Sequence, residues 1–234
     1  LSSSAAGTMS TAPVKVLVAG DVRGRLSALF ARVGGLQRSH GPFAALFCAG
    51  EFFGPEDDNA EAAEYISGEA LPPVPTFFVC GRHYCDGLDE GEGTRQFSRN
   101  LTYLGRKGIK ECAGLKVAFL SGVYPHTASQ PEERAEGNAL IQEGRSAKAG
   151  AGIDVLLTAQ WAAGVGVAAP SAPPVTDDAG SSVISSVAAA LQPRYHFAGG
   201  EGVFYERAPY TNIDKNSSSG PVTRFFGLAI VGNA

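Results

Sequence analysis

The sequence has 234 residues, of which 44% are hydrophobic and 18% are charged. That is enough apolar material for the core of one α/β domain, or of two very small ones. The net charge of −4 at pH 7 argues against a protein that coats nucleic acid through overall positive charge. No apolar segment approaches the roughly 20 residues that a transmembrane helix needs, so we expect no membrane span.

The N-terminal residues and the cysteines indicate where the domain begins and in which compartment it works. Residues 1–8 are rich in Ser, Ala and Gly and precede the only methionine, Met9. We interpret residues 1–10 as an expression remnant or a disordered tail, and residues 11–234 as one domain. The four cysteines contain no CxxC pair, which favours a reducing compartment such as the cytosol or nucleus. They are Cys48, Cys80, Cys85 and Cys112.

The first eighty residues alternate between short apolar segments and amphipathic ones. Strands are predicted at 14–19, 43–48 and 76–80, and helices at 26–36 and 59–66, the second with Asp58 as its N-cap. This alternation is typical of βαβ units and a largely parallel sheet. Because such sheets collect functional residues at the carboxyl ends of their strands, we expect the site in loops 20–25, 50–54 and 81–87.

The second half has a different pattern. Predicted strands at 101–104, 109–112 and 115–120 are separated by glycine-containing turns, like a meander. A helix at 131–149, a strand at 154–158 and a helix at 182–191 follow, and strands at 195–198, 203–205 and 223–231 complete the chain. Residues 162–180 are rich in Ala, Gly and Pro, and we interpret them as a flexible insertion.

The loops after these strands resemble, in order, the metal-binding loops of calcineurin-like metallophosphoesterases, which run D-x-H, G-D-x-x-D, G-N-H-D/E, a later His, and G-H-x-H. The corresponding segments are 21–23, 50–54, 81–84, 156–161 and 198–202. The resemblance implies an αββα sandwich, with two mixed β-sheets flanked by helices. It also implies an ancestral site in which two metal ions, roughly 3.5–4 Å apart, clamp a phosphate.

Several of the expected metal ligands are absent from these loops. Asp21 is kept, Glu51 stands at the bridging aspartate, and the histidine at His83 is kept. The positions expected to supply imidazole or amide ligands, with the glycine beside them, carry Arg23, Arg82, Gly200 and Gly202. We therefore expect no metal, no cofactor and no catalysis. His83 matches the general acid of active relatives, but without metals it has no phosphate to protonate.

Longer motifs narrow the resemblance to one family. The segments LTYLGRKG (101–108), FLSG (119–122), PRYHF (193–197), YERAPY (205–210) and TRFFGLAIVGN (223–233) are similar to the N-terminal domain of the CwfJ family, the Cwf nineteen-like spliceosome-associated proteins. The loops GDVRGR and EFFG fit that family as well. The resemblance implies a nuclear protein with the lariat debranching enzyme and spliceosomal proteins as partners, and with histidine-triad-like domains after this one.

Three interpretations of function follow. The first is a non-catalytic, monomeric domain that binds partners in splicing and intron turnover. The second is a residual phosphodiesterase that uses one metal on Asp21, Glu51 and unusual ligands such as His83. The third is an intramolecular scaffold for the histidine-triad-like domains.

Three groups of side chains are candidates for particular roles. Arg23 is expected to form an ion pair with Asp21 or Glu51 where a metal would otherwise lie, the alternative being that it points to solvent. A basic cluster is a candidate surface for RNA or an acidic partner, or else an ordinary solvated face; it comprises Arg95, Arg99, Arg106, Lys107, Lys110 and Lys116. Phe52 and Phe53 either fill the former metal site or present an apolar partner surface.

Overall fold

The computed structural model describes residues 13–55, 60–83, 93–147, 152–211 and 220–233. Within these ranges the helices are α1 (Leu26–His40), α2 (Ala60–Ser67), α3 (Pro131–Ala147) and α4 (Ser182–Leu191). The strands are β1 (Val16–Gly20), β2 (Ala45–Ala49), β3 (Thr76–Phe78), β4 (Arg95–Ser98), β5 (Leu101–Tyr103), β6 (Lys107–Cys112), β7 (Leu115–Leu120), β8 (Val155–Thr158), β9 (Tyr195–Ala198), β10 (Tyr205–Glu206), β11 (Tyr210–Thr211) and β12 (Val222–Gly227). The βαβ alternation predicted for the first eighty residues is confirmed. None of the described helices is long and apolar enough to cross a bilayer.

The first sheet contains five strands in the order β1-β2-β3-β5-β4. The first four of these run parallel to one another, and β4 pairs antiparallel with β5 at the edge. Strand β4 was not predicted, because its residues are mainly polar and show no clear alternation. Its register also shifts between Gln96 and Ser98, an irregularity of the kind that edge strands often carry.

The second sheet has the order β10-β12-β9-β8-β7-β6, with β11 also paired to β12. Its central strands β12, β9, β8 and β7 are parallel, and β6 and β10 are antiparallel at the two ends. The predicted meander is therefore wrong: β5 belongs to the first sheet, and of the three strands predicted for the meander only β6 and β7 pair with each other. Both sheets are mixed, and the predicted αββα sandwich is confirmed.

Alternating side chains of the strands build the layers. In β2, Phe47 points into the core between the sheets with Phe119 and Leu157, whereas Leu46 and Cys48 point outward to a cluster with α1. Helix α1 covers that face because its apolar residues recur every three to four positions. On the other side, α3 and α4 pack together on the outer face of the second sheet.

Several predicted bounds change. Strand β12 ends at Gly227, so the predicted strand at 223–231 is too long, and the main-chain N–H of Val231 instead donates to the carbonyl of Asp21 (3.1 Å). Asp58 and residues 148–149 lie outside the described residues. Residues 162–180 form short turns, and the Ser171 carbonyl accepts a hydrogen bond from the Tyr205 hydroxyl (2.9 Å). The flexibility of this segment stays a prediction.

Candidate functional site

Loops from both sheets meet at the carboxyl ends of parallel strands. The loops that follow β1, β2 and β3 approach those that follow β7, β8 and β9, and the N–H of Gly50 donates to the carbonyl of Thr158 (3.2 Å). A cavity of about 350 Å³ opens between them. Five of the seven predicted site residues line it: Arg23, Glu51, Arg82, His83 and Gly200. The cavity therefore lies at the strand ends, where the sequence predicts the site.

Asp21 lies fully buried beside the cavity and holds three loops together. Its Oδ1 accepts hydrogen bonds from the main-chain N–H groups of Glu51 (3.0 Å) and Gly200 (2.9 Å). Gly50 has a φ of +83°, and a Cβ at that position would clash with the same carboxylate oxygen. This carboxylate is thus used as an acceptor for backbone amides, which satisfies donors that would otherwise be buried and unpaired.

Glu51 has a similar role one loop away. Its Oε1 accepts from the main-chain N–H of Arg82 (2.6 Å), and its Oε2 accepts from that of His83 (3.3 Å). Gly81 packs so closely against this carboxylate that a Cβ at its position would clash with Oε1. The Glu51 side chain therefore fixes the start of the loop that carries Arg82 and His83.

Arg23 forms the ion pair that the sequence predicts. Its Nη2 lies 3.3 Å from Oδ2 of Asp21, whereas the two amides described above donate to Oδ1. Asp21 and Arg23 both have positive φ angles, +34° and +48°, a strained conformation for residues other than glycine. Main-chain hydrogen bonds from Arg23 to the Glu51 carbonyl and from Gly24 to the Phe52 carbonyl, both 3.0 Å, hold the loop in that shape.

Gly202, Gln160 and Glu201 also lie at or near the cavity, and no role was predicted from the sequence for Gln160 and Glu201. Gly202 lies outside the cavity lining, but a Cβ there would lie 3.9 Å from Nη2 of Arg23. Gln160 lines the cavity, and its Oε1 accepts from the N–H of Tyr124 (2.6 Å). Glu201 also lines it and accepts from the N–H of Gly180 (3.2 Å). Gln160 lies two residues after the end of β8 and Glu201 three residues after the end of β9, and this position in a strand-end loop is the signal that could have identified them.

The described residues do not fit a two-metal centre. Among them, no group of three or more His, Cys, Asp or Glu side chains is placed to hold a metal ion. The oxygens of Asp21 and Glu51 accept hydrogen bonds from amides and a guanidinium, which would compete with a metal ion for these oxygens, and the positive charge of Arg23 would repel it. Arginine and glycine at the remaining positions supply no metal-ligating atom at neutral pH.

The basic cluster is divided between the two sheets. Arg95 lies on β4 with its guanidinium 4.8 Å from the Phe97 ring centre, whereas Lys107 and Lys110 are exposed on β6. Arg99 is exposed in the turn between β4 and β5, and Lys116 is half-buried on β7. The binding role of these residues stays a prediction.

Arg106 differs from the rest of the cluster because it is engaged in a network. Its Nε lies 2.9 Å from both carboxylate oxygens of Glu136 on α3. The hydroxyl of Tyr124 donates to the same carboxylate, and burial raises the pKa of that hydroxyl above its usual range. Arg106 therefore ties the start of β6 to α3.

Phe52 and Phe53 are both fully buried. Phe52 stacks on Phe78 with ring centres 3.9 Å apart, and Phe53 meets the same ring edge-on at 5.6 Å. Neither phenylalanine lines the cavity. The interpretation as an apolar partner surface is wrong, because both rings lie in the core beneath α1. That they fill the former metal site stays a prediction.

His196 and the described cysteines are buried core residues. The Nε2 of His196 lies 2.8 Å from the hydroxyl of Thr158, and burial lowers the pKa of the imidazole to about 3. Cys48, Cys80 and Cys112 are buried and form no disulfide, and burial raises the pKa of Cys112 to about 11. Cys85 lies outside the described residues.

Comparison with solved structures agrees with this architecture. One crystal structure superimposes with a TM-score of 0.54 at 16% identity, covering 91% of this chain and 90% of the other. The protein TT1561 of Thermus thermophilus superimposes with a TM-score of 0.53 at 14% identity, covering 92% and 90%. The fold is therefore a metallophosphoesterase-like αββα sandwich.

Sequence comparison gives the family. The chain is 37% identical to mouse CWF19-like protein 1 and 38% identical to its Caenorhabditis elegans homolog, each over 96% of this chain. It is 35% identical, over its whole length, to the rice zinc finger CCCH domain-containing protein 59. No protein-family profile matches. The chain belongs to the CwfJ, or CWF19-like, family, and it spans about two fifths of the length of these relatives, 43%, 42% and 40% respectively.

Proposed function

We propose that this domain acts by binding partners and does not hydrolyse phosphodiesters. One observation carries the proposal: the two carboxylates kept at the former metal loops accept hydrogen bonds from main-chain amides of neighbouring loops. A carboxylate that satisfies buried amides stabilises the loops without a metal. A scaffold kept in this way, with its ligand positions replaced, favours a binding role.

The partners we propose are the lariat debranching enzyme and proteins of the intron-lariat spliceosome, in the nucleus. Support comes from the membership of the chain in the CWF19-like family. RNA is a further candidate, and Lys107 and Lys110, exposed on β6, are the residues of the basic cluster that we propose contact it.

The direct test immobilises this chain and measures retention of purified lariat debranching enzyme, with and without an intron-lariat RNA. Saturable binding of the enzyme without RNA supports the proposal. Binding that appears only with RNA would make RNA the immediate partner. If neither binds, the proposal fails and an intramolecular role beside the histidine-triad-like domains replaces it.

A charge-reversed pair locates the surface. Lys107→Glu with Lys110→Glu changes two exposed residues of the edge strand β6 and leaves Arg106, which holds α3, in place. Arg32→Glu with Arg38→Glu on α1 is the matched control, because it changes the net charge equally on the opposite outer layer. Weaker binding in the first double variant alone would place the partner on β6, and equal binding in both would exclude it from that strand.

A further inference from the structure

The cavity at the strand ends carries cationic groups. Arg23 and Arg82 line it, together with the imidazole of His83 and the side chain of Gln160. Its volume of about 350 Å³ lies at the small end of the range for ligand sites, roughly 300–1,000 Å³. It therefore has room for one small polar group and for part of the molecule that carries this group.

The acidic residues at the cavity are already engaged. Glu51 accepts from two main-chain amides, and Glu201 accepts from the N–H of Gly180. Asp21 accepts from two amides and from Arg23. These hydrogen bonds stabilise the carboxylates in place but do not remove their charge, so an anion in the cavity depends on the donors of the two arginines.

The two arginines supply those donors. The Nε of Arg23 is buried and has no hydrogen-bond partner among the described residues, an arrangement that costs free energy unless a ligand or water accepts from it. The strained backbone at Arg23 fixes the position of this group. In the described part of the chain, no carboxylate pairs with the guanidinium of Arg82, which lies on the exposed side of the cavity.

We propose that the cavity is a metal-independent binding site for a phosphoryl oxyanion, with Arg23 beneath the anion and Arg82 above it. A planar guanidinium offers paired N–H donors that match the oxygens of a phosphate, which explains why arginine serves here and a single lysine would not. The two guanidinium groups supply the positive charge that divalent cations supply in a metallophosphoesterase. This goes beyond partner binding, since it requires no second protein.

The test titrates inorganic phosphate into this chain, in excess EDTA, by isothermal titration calorimetry. Saturable binding is expected, and Arg82→Gln should weaken it about tenfold or more, as expected for the loss of a charge-assisted hydrogen bond. Arg23→Gln should weaken it at least as much, and its thermal unfolding shows whether the fold is kept. Arg32→Gln, an exposed arginine on α1 that lies outside both the cavity and the basic cluster, is the matched control and should bind as the unaltered chain does.

Three results would overturn the proposal. The first is the absence of saturable phosphate binding, and the second is binding that Arg82→Gln leaves unchanged. The third is phosphate binding that EDTA abolishes and manganese restores, because a metal would then hold the anion. Retention of the debranching enzyme is measured separately, so failure of the oxyanion site and failure of the proposed function give different results.

Discussion

Replacing Asp21 by alanine is the perturbation that the geometry of the site predicts most sharply. The variant removes an acceptor from the main-chain N–H groups of Glu51 and Gly200, which lie 30 and 179 residues further along the chain. Three loops would lose their common contact at once. Because a fully buried side chain is removed, water cannot simply take its place.

The expected cost follows from these contacts. Each buried amide left without an acceptor costs about 1–3 kcal/mol, so two of them give about 2–6 kcal/mol. The variant also no longer buries a charged carboxylate, and removing that desolvation cost offsets part of the loss. The lost contact with Arg23 adds little, because that side chain is 41% exposed. We therefore expect Asp21→Ala to lower the free energy of unfolding by about 3 kcal/mol. Asp21→Asn, which keeps an acceptor oxygen and tolerates the positive φ, should cost about 1 kcal/mol.

Urea unfolding followed by the fluorescence of Trp161 measures this free energy, because the single tryptophan is fully buried. The losses should be the same with EDTA and with added manganese. A loss below about 1 kcal/mol for Asp21→Ala would refute the role of Asp21 as an acceptor for backbone amides. A drop in the stability of the unaltered chain on adding EDTA would show that a metal contributes instead.

Two further predictions concern the packing of glycines and the protonation of His196. Gly199→Ala would place a Cβ 2.5 Å from Cα of Gly50 and should destabilise the chain by about 1–3 kcal/mol. Gly35→Ala, in an open position of α1, should instead stabilise it by about 0.5–1 kcal/mol. Urea unfolding measures both changes. His196 has a pKa of about 3 when folded and about 6.5 when unfolded, so the unfolded chain binds the extra proton and stability falls as pH drops through that range. By pH 5 this loss of stability is about 2 kcal/mol. His196→Leu should remove the loss, and the control His126→Gln should keep it. An unchanged pH dependence of stability in His196→Leu would contradict the assignment of the loss to His196.

Much of the fold could be predicted from local sequence patterns. The strands β1, β2 and β3 were predictable because each is a short apolar segment that ends in a glycine-containing loop. The pairing of Asp21 with Arg23 was predictable because the two residues are neighbours in one loop. The cavity position followed from the rule that parallel strands gather their carboxyl ends at one edge.

Long-range contacts could not be predicted in the same way. A main-chain N–H carries no sequence signature, so nothing in the sequence indicated that Gly200 would donate to Asp21. Arg106 was grouped with the basic cluster because the carboxylate that it binds, Glu136, lies 30 residues away on a helix. Strands β4 and β11 were missed because short edge strands bury little and lack an apolar pattern.

The central claim is that the former metal loops are held together by their own side chains and amides, without a metal. Incubation of the purified chain with manganese, zinc and iron, followed by removal of free ions and elemental analysis by mass spectrometry, tests it most directly. We expect far less than one bound metal ion per chain, and the same residual amount in Asp21→Ala. Stoichiometric metal that is lost in Asp21→Ala would contradict the account and favour a surviving metal-dependent phosphodiesterase.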